Sequence, residues 1–211
     1  TRAALGDRRK PLPDQIRQQF PDRFVLTEEM GWVPKGWAMV TLNEVTEKIG
    51  SGATPRGGKQ AYVDSGTALI RSQNVYDSGF TWKGLAYVTQ EAADQLQNVT
   101  VEPGDVLLNI TGASILRTCL VTSDVLPARV NQHVAIIRAR KEIPPRYLHL
   151  LLQQRRTKNY LMGLNAGASR EAVTKGHIES VPTLRPDKCI LNEFKLLTDP
   201  MYQRVEKLHG S

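Results

Sequence analysis

At 211 residues the chain has room for one sizeable domain with an appendage, or for two small domains. Its 40% apolar and 23% charged shares are those of an ordinary globular protein, and no apolar run nears the ~20 residues of a membrane span. The formal net charge of +7 points to a polyanionic partner, most simply nucleic acid. The two cysteines, Cys119 and Cys189, read as incidental thiols of a cytoplasmic protein, and the four scattered histidines offer no metal-ligand spacing. The N-terminus has no secretory apolar segment and no initiator Met, so the expectation is a piece of a longer chain.

Residues 1–31 read as a polar, extended lead-in, with one helical turn at "IRQQF" and with Phe20 and Phe24 pinned onto something larger. In "GWVPKGWAMVTLNEV", Trp32 and Trp37 bracket a Pro-Lys-Gly turn, which suits a strand entry held by two large rings. Asn43 can cap a short helix with Leu42, Val45 and Ile49 on one face. After the loop at 51–60, "GTALIRSQNV" and "LAYVT" read as strands, and Thr89 caps a helix over "QEAADQLQN". The run "DVLLNITG" suits a strand buried on both faces, and "RTCLVTS" and "VNQHVAIIRAR" complete a strand-rich middle. Two prolines open one helix over "RYLHLLLQQRRTKNYLMGL", whose buried stripe is Leu148, Leu151 and Leu152. A short helix near "HIESV" and a strand "PTL" end this region near Pro186. The rest is helical, with Pro200 expected to break or restart it. Met201, Val205 and Leu208 step by four and three, the seam spacing of a coiled coil.

The loop Ala53-Thr54-Pro55-Arg56-Gly57-Gly58-Lys59-Gln60 falls one residue short of a phosphate-cradling loop. Gln60 lacks the hydroxyl that would ligate magnesium, and the loop does not connect a buried strand to a helix N-terminus. It is therefore no nucleotide site. Pro186-Asp187 and Glu193-Phe194-Lys195 imitate a nuclease signature, but five intervening residues leave no room for the two strands such a site needs. "IPPR" only imitates an amino-methyltransferase tetrapeptide, and no nucleophile elbow or glycine-rich fingerprint occurs. No catalytic residue is assigned.

Recognition chemistry is instead plentiful. Thr54, Arg56 and Lys59 sit in the glycine loop, and Arg71, Ser72, Gln73 and Asn74 follow a strand. Asn131, Gln132 and His133 open another strand beside Arg129, and Ser169, Arg170, Thr174 and Lys175 lie in a second small-residue loop. Arginine can read guanine and an amide can read adenine in the major groove, while cations and hydroxyls hold phosphates. The base-reading candidates are Arg56, Arg71, Gln73, Asn74, Asn131 and Gln132. The phosphate candidates are Thr54, Lys59, Arg117, Arg155, Ser169, Arg170 and Lys175.

The order of "FPDRF", "GWVPKGW", "TLNEV", "SGATP", "VEPGDVLLNITGA", "VNQHVAIIRA", "PPRYLHLLLQ" and "GASREAVTKGHIESVPTL" resembles a target-recognition domain of type I restriction–modification specificity subunits, from about Phe20 onward. The resemblance implies a non-catalytic subunit with two recognition domains, each reading half of a split DNA sequence, separated by antiparallel coiled-coil helices. It further implies modification subunits that methylate adenine with S-adenosylmethionine, and restriction subunits using ATP and magnesium, while this chain carries no cofactor or metal. Met201, Val205 and Leu208 would belong to the spacer arm. Pro200 and the short arm depart from the family pattern, so the chain looks like one half of a subunit, pairing with a second half or with its own copy.

The expectation is a mixed α/β (α+β) fold with a twisted, largely antiparallel sheet, short flanking helices and a C-terminal helical arm. Residues 1–31 are the lead-in, 32–186 the recognition domain, and 187–211 the start of the arm. The function expected is sequence-specific binding of double-stranded DNA. The alternatives are a standalone nuclease or methyltransferase, and a non-catalytic protein scaffold.

Overall fold

The computed structural model describes residues 13–28, 30–165 and 172–209, apart from the side chains at 58, 59, 165, 203 and 205–209. Two compact units are present, one built from 39–183 and one from the two ends of the chain.

The larger unit holds two four-stranded sheets rather than the one sheet expected. Their strands are β4 (Thr46–Ser51), β5 (Tyr62–Val63), β6 (Thr67–Ile70), β9 (Ala86–Val88), β10 (Val106–Asn109), β11 (Thr118–Leu120), β12 (Ala128–Val130) and β13 (Val134–Ala139). Three shorter pieces precede or interrupt them: β3 (Ala38–Thr41), β7 (Val75–Tyr76) and β8 (Gly79–Phe80). The first sheet runs β11-β10-β13-β4 and is antiparallel throughout. The second runs β12-β6-β9-β5, with β12 and β6 parallel and the other neighbours antiparallel. Antiparallel pairing therefore dominates, as the short strands and frequent turn residues imply.

The two sheets share one core. Leu107 and Ile136 are register partners, and with Cys119 and Val134 they join Leu69, Ile70, Val88 and Val130 in a single buried cluster. Alternation turns Leu108, Ala135 and Ile137 to the opposite face, where helix α4 (Pro145–Gln153) packs on β10, β11 and β13. Leu148, Leu151 and Leu152 are buried there, the stripe expected from sequence. All of β10 is thus covered on both faces. Burial pushes the Cys119 thiol up to about 12, so it is an inert core residue.

Of three helical expectations, two change in detail and one holds. Helix α2 (Leu42–Val45) is capped by Thr41, not Asn43: the Thr41 N–H donates to the Glu44 carboxylate at 2.7 Å, and Ile49 lies in β4. Helix α3 (Gln90–Gln95) has the expected cap, with Thr89 Oγ1 accepting from the Ala92 N–H. The single long helix expected after Pro144 is two, α4 and α5 (Arg155–Asn165), because Gln154 adopts an extended ψ of 135°. Helix α6 (Lys175–Glu179) and strand β14 (Pro182–Arg185) close the region, and the Leu42 N–H donates to the Val181 carbonyl.

The smaller unit contains α1 (Asp14–Arg17), the hairpin β1 (Phe24–Thr27) and β2 (Gly31–Pro34), and helix α7 (Lys188–His209). Gly31, at φ +66°, makes the hairpin turn, closed by Thr27 Oγ1 donating to the Gly31 carbonyl. Trp32 is 69% exposed beside its partner Leu26, and Phe20 and Phe24 are also exposed, so these rings are not the anchors expected. Helix α7 continues through Pro200 instead of breaking.

One charged contact ties the first sheet to the turn before β10. Asp105 is fully buried and receives Arg138 through two hydrogen bonds, at 2.8 and 2.9 Å, and the Glu102 N–H at 2.8 Å. Arg138 also pairs with Glu102 and donates to the Thr100 carbonyl. Without Asp105, Arg138 keeps the half-exposed Glu102 carboxylate, but the Glu102 N–H loses its acceptor. Asp105→Ala is expected to cost about 1–3 kcal/mol of unfolding free energy, read from denaturant titration.

Candidate nucleic-acid interface

Strand register gathers the polar loops at one end of the larger unit. Ser51 at the end of β4 faces Ala135 near the start of β13, and Asn109 at the end of β10 faces Val134. Val130 at the end of parallel β12 lies beside Ile70 at the end of β6. The segments leaving these ends, 52–60, 71–74, 110–117 and 131–133, therefore emerge together. Segment 172–175 joins them through a bridge between Thr111 and Ala172 and a bond from the Val173 N–H to the Ile110 carbonyl. None of these segments contains Asp or Glu, whereas they carry Arg56, Lys59, Arg71, Arg117 and Lys175. The segments themselves are thus of one sign, suited to phosphates, with Glu179 of the following helix beside Lys175.

The glycine loop is fixed at its root by close backbone approach. A Cβ at Gly52 would lie 1.7 Å from the Val130 carbonyl oxygen, so only glycine passes there. Pro55 is buried, and Arg56 is exposed beyond it. The side chain of Lys59 lies outside the described residues, as do Ser169 and Arg170 entirely.

Thr54, expected on phosphate, is instead bonded to the neighbouring turn: its hydroxyl donates to Gln132 Oε1 at 2.9 Å. Gln132 Nε2 lies 3.2 Å from His133 Nε2, and His133 Nδ1 lies 2.6 Å from Thr111 Oγ1. Gln132 is exposed. Asn131 is largely buried, its Oδ1 accepting from the His133 N–H and its own N–H bonded to Ile70, so it shapes the turn.

The other amide cluster is more committed to protein. Asn74 is wholly buried, accepting from the Arg71 N–H and donating to the Thr81 and Lys83 carbonyls. The expectation that Asn74 reads a base is corrected: no edge of it reaches solvent, and its amide replaces backbone partners within the turn. Arg71 and Gln73 both donate to the Gly84 carbonyl, at 2.6 and 2.9 Å. Arg71 is half-buried, and Gln73 is exposed. Arg129, the cation beside the Asn131 turn, faces inward and donates to the Ala93 and Ala128 carbonyls.

Loop 110–117 is braced by Asn109, which donates to the Ser72 carbonyl and to Ser114 Oγ. Leu116 is held at φ +64°, a left-handed conformation costing about 1–2 kcal/mol, by burial of its side chain and a bond to Asn109. Arg117 stacks over the exposed Tyr76 ring, 4.7 Å from its centroid. Arg155 is exposed at the first position of α5, whose Lys158 is paired with Asp77 at 2.6 Å. Lys175 is exposed and 3.5 Å from Glu179. His133 was named from sequence only within the Asn131–His133 cluster, and Thr111 and Tyr76 were not singled out; their place here follows from contacts between segments far apart in the chain.

Of the arm candidates, Met201 is 63% exposed on α7, and the side chains of Val205 and Leu208 lie outside the described residues. Glu193 and Lys195 of the nuclease-like segment lie within α7, and Asp187 just precedes it. Among the described residues no cluster of three His, Cys, Asp or Glu side chains could hold a metal ion, and no helix is long and apolar enough to cross a membrane.

No family model and no curated protein matches the chain. Solved structures do. A chain from a structural study of complex assembly and conformational transition in the type I R-M system is 21% identical, with a TM-score of 0.59; the match covers 92% of this chain and 44% of that one. The HsdS subunit from Thermoanaerobacter tengcongensis is 20% identical at a TM-score of 0.59, over 93% of this chain and 43% of that one. A type I restriction–modification S subunit from M. genitalium is 10% identical at a TM-score of 0.56, over 82% and 41%. The chain has the mixed α/β fold of HsdS specificity subunits, and it spans less than half the length of those it matches.

The Gly52 passage generates a test of the site's construction. Gly52→Ala forces the loop off Val130 and breaks the Thr54–Gln132 bond. The expected outcome is a destabilisation of more than about 1 kcal/mol with faster proteolysis near Arg56, whereas Gly50→Ala, with open space around its Cα, leaves cleavage at Arg56 unchanged.

Proposed function

We propose that this chain reads double-stranded DNA by sequence, as one target-recognition half of a type I specificity subunit. The observation that carries the reading is the basic rim of Arg56, Arg71, Arg117 and Lys175, with the amides of Gln73 and Gln132, on loop segments that carry no Asp or Glu at one end of two sheets. Cations on such a rim supply the affinity common to all sequences, and exposed amide and guanidinium edges supply discrimination. The fold shared with specificity subunits more than twice as long supports a half-subunit.

On this reading residues 32–186 form the recognition domain and those from 187 begin the spacer arm. The exposed Met201 is consistent with a seam, with Val205 and Leu208, that a second helix would cover. The chain itself makes and breaks no bonds. Adenine methylation and restriction fall to modification and restriction subunits, which bring S-adenosylmethionine, ATP and magnesium. The place of action is the cytoplasm.

Arg56→Ala and Lys175→Ala separate the two kinds of contact. In anisotropy titrations across a salt series, Arg56→Ala is expected to cost ~1–3 kcal/mol on the preferred duplex and little on a scrambled one. Lys175→Ala weakens both alike and makes the log K against log salt slope shallower by about 1. Unchanged binding of the preferred duplex by both variants would sink the assignment of this rim. DNA cleavage or methyl transfer by the purified chain alone would sink the non-catalytic reading.

A further inference from the structure

Gln132 differs from the other exposed polar groups of the rim in how its amide is held. Among the described residues its Oε1 accepts one bond, from the Thr54 hydroxyl at 2.9 Å. Its Nε2 there makes one contact, to His133 Nε2 at 3.2 Å. With the amide in this orientation its nitrogen donates, His133 Nε2 accepts and Nδ1 is left to donate to Thr111 Oγ1, 2.6 Å away. The bonds run in one direction, Thr54 to Gln132 to His133 to Thr111, across three loops. The turn beneath is fixed as well, by Asn131 bonding both Ile70 and the His133 N–H, and by Gly52 against Val130.

An amide carries two N–H donors and two lone pairs. With one of each engaged among the described residues, the exposed Gln132 amide keeps one further N–H and one further lone pair. That complement matches adenine in the major groove, which offers N7 as acceptor and the N6 amino group as donor. Guanine offers two acceptors there and leaves the Gln132 carbonyl without a donor. By contrast Asn74 has no exposed edge, and Gln73 donates to Gly84 on a turn that Arg71 shares.

We infer that Gln132 reads one adenine of the target by a bidentate contact, with Thr54 and His133 as positioning residues that fix which way its amide faces. This rests on the DNA-reading function proposed above and adds the base identity at one position. It also assigns Thr54 a role through Gln132 rather than on the phosphate backbone.

The test is selection of the full chain against a randomised duplex library, followed by sequencing of the bound fraction. The wild-type chain is expected to enrich a motif containing an adenine that Gln132→Ala loses alone, with preference at that base pair falling roughly 5- to 150-fold. Gln132→Glu is expected to exchange adenine for cytosine there, since a carboxylate accepts from the cytosine amino group. Thr54→Val relaxes the same base pair, Thr54→Ser restores it, and Thr54→Val adds nothing in the Gln132→Ala background. A thermal melt matching wild type accompanies each variant, since Gln132 and Thr54 are exposed.

A motif untouched by Gln132→Ala overturns the inference while leaving the DNA-reading function intact. Loss of preference at a G·C pair instead of an A·T pair does the same. A Thr54→Val effect at a different base pair overturns the positioning role. If the wild-type chain enriches no motif, the function itself fails and the inference falls with it.

Discussion

The passage of Gly52 beneath the Val130 carbonyl is the constraint from which the interface follows. With a Cβ at that point the backbones could not approach, and the loop bearing Thr54 and Arg56 would swing away from the Asn131–His133 turn. The Asn131–His133 turn joins β12 to β13, and the pairing of Ser51 with Ala135 already brings the root of the glycine loop beside the start of β13. The close contact between Gly52 and the Val130 carbonyl then sets its distance to the end of β12, in the other sheet. Ile70, whose carbonyl accepts the Asn131 N–H, then ties the end of β6 to the same place. One backbone contact and one hydrogen bond thus register three chain exits against each other.

Elements governed by local chemistry were legible in the sequence. The Thr89 cap, the apolar run of β10 and the Leu148-Leu151-Leu152 stripe each depend on residues within two turns of one another. The cap of α2 was misplaced by two residues because Thr41 and Asn43 are both competent caps. Glu44, three residues after Thr41, completes a capping box and decides between them. The break at Gln154 carries no glycine or proline to announce it, and the sequence pattern on both sides is helical. Pro200 gave a strong local signal that the structure overrides. The pairing of β12 with β6 in parallel was beyond reach for a different reason: it joins segments about 60 positions apart, and register between distant strands leaves no local trace.

The site shows the same divide. Residue type and loop position named segments that the structure brings to one end of the sheets, but type cannot say whether an amide faces solvent or a backbone carbonyl. Asn74 and Gln132 are chemically near-equivalent and both sit in turns, yet one is spent on Thr81 and Lys83 while the other keeps an open edge. Irregular chain leaves buried carbonyls without ladder partners, and nearby Asn, Gln and Arg side chains meet that need first. Arg129 and Arg71 show it for cations: both donate to protein carbonyls before any ligand arrives. Only the surplus of polar groups over local need is available for recognition, and surplus is a property of the packed structure.

That surplus also explains why a reading surface of loops can be discriminating at all. A mobile amide presents its donor and acceptor in either order and gains little by choosing. Fixing the order costs conformational entropy, which the protein has already spent in folding when the side chain is bonded on both sides. At Gln132 the bracing comes from Thr54 and His133, themselves held by Gly52, Asn131 and Thr111, so the rigidity of the sheets is carried out to a single exposed edge. On the reading proposed above, Lys175 would supply charge common to all sequences, Arg56 an exposed guanidinium edge, and Gln132 an amide whose orientation folding has already fixed.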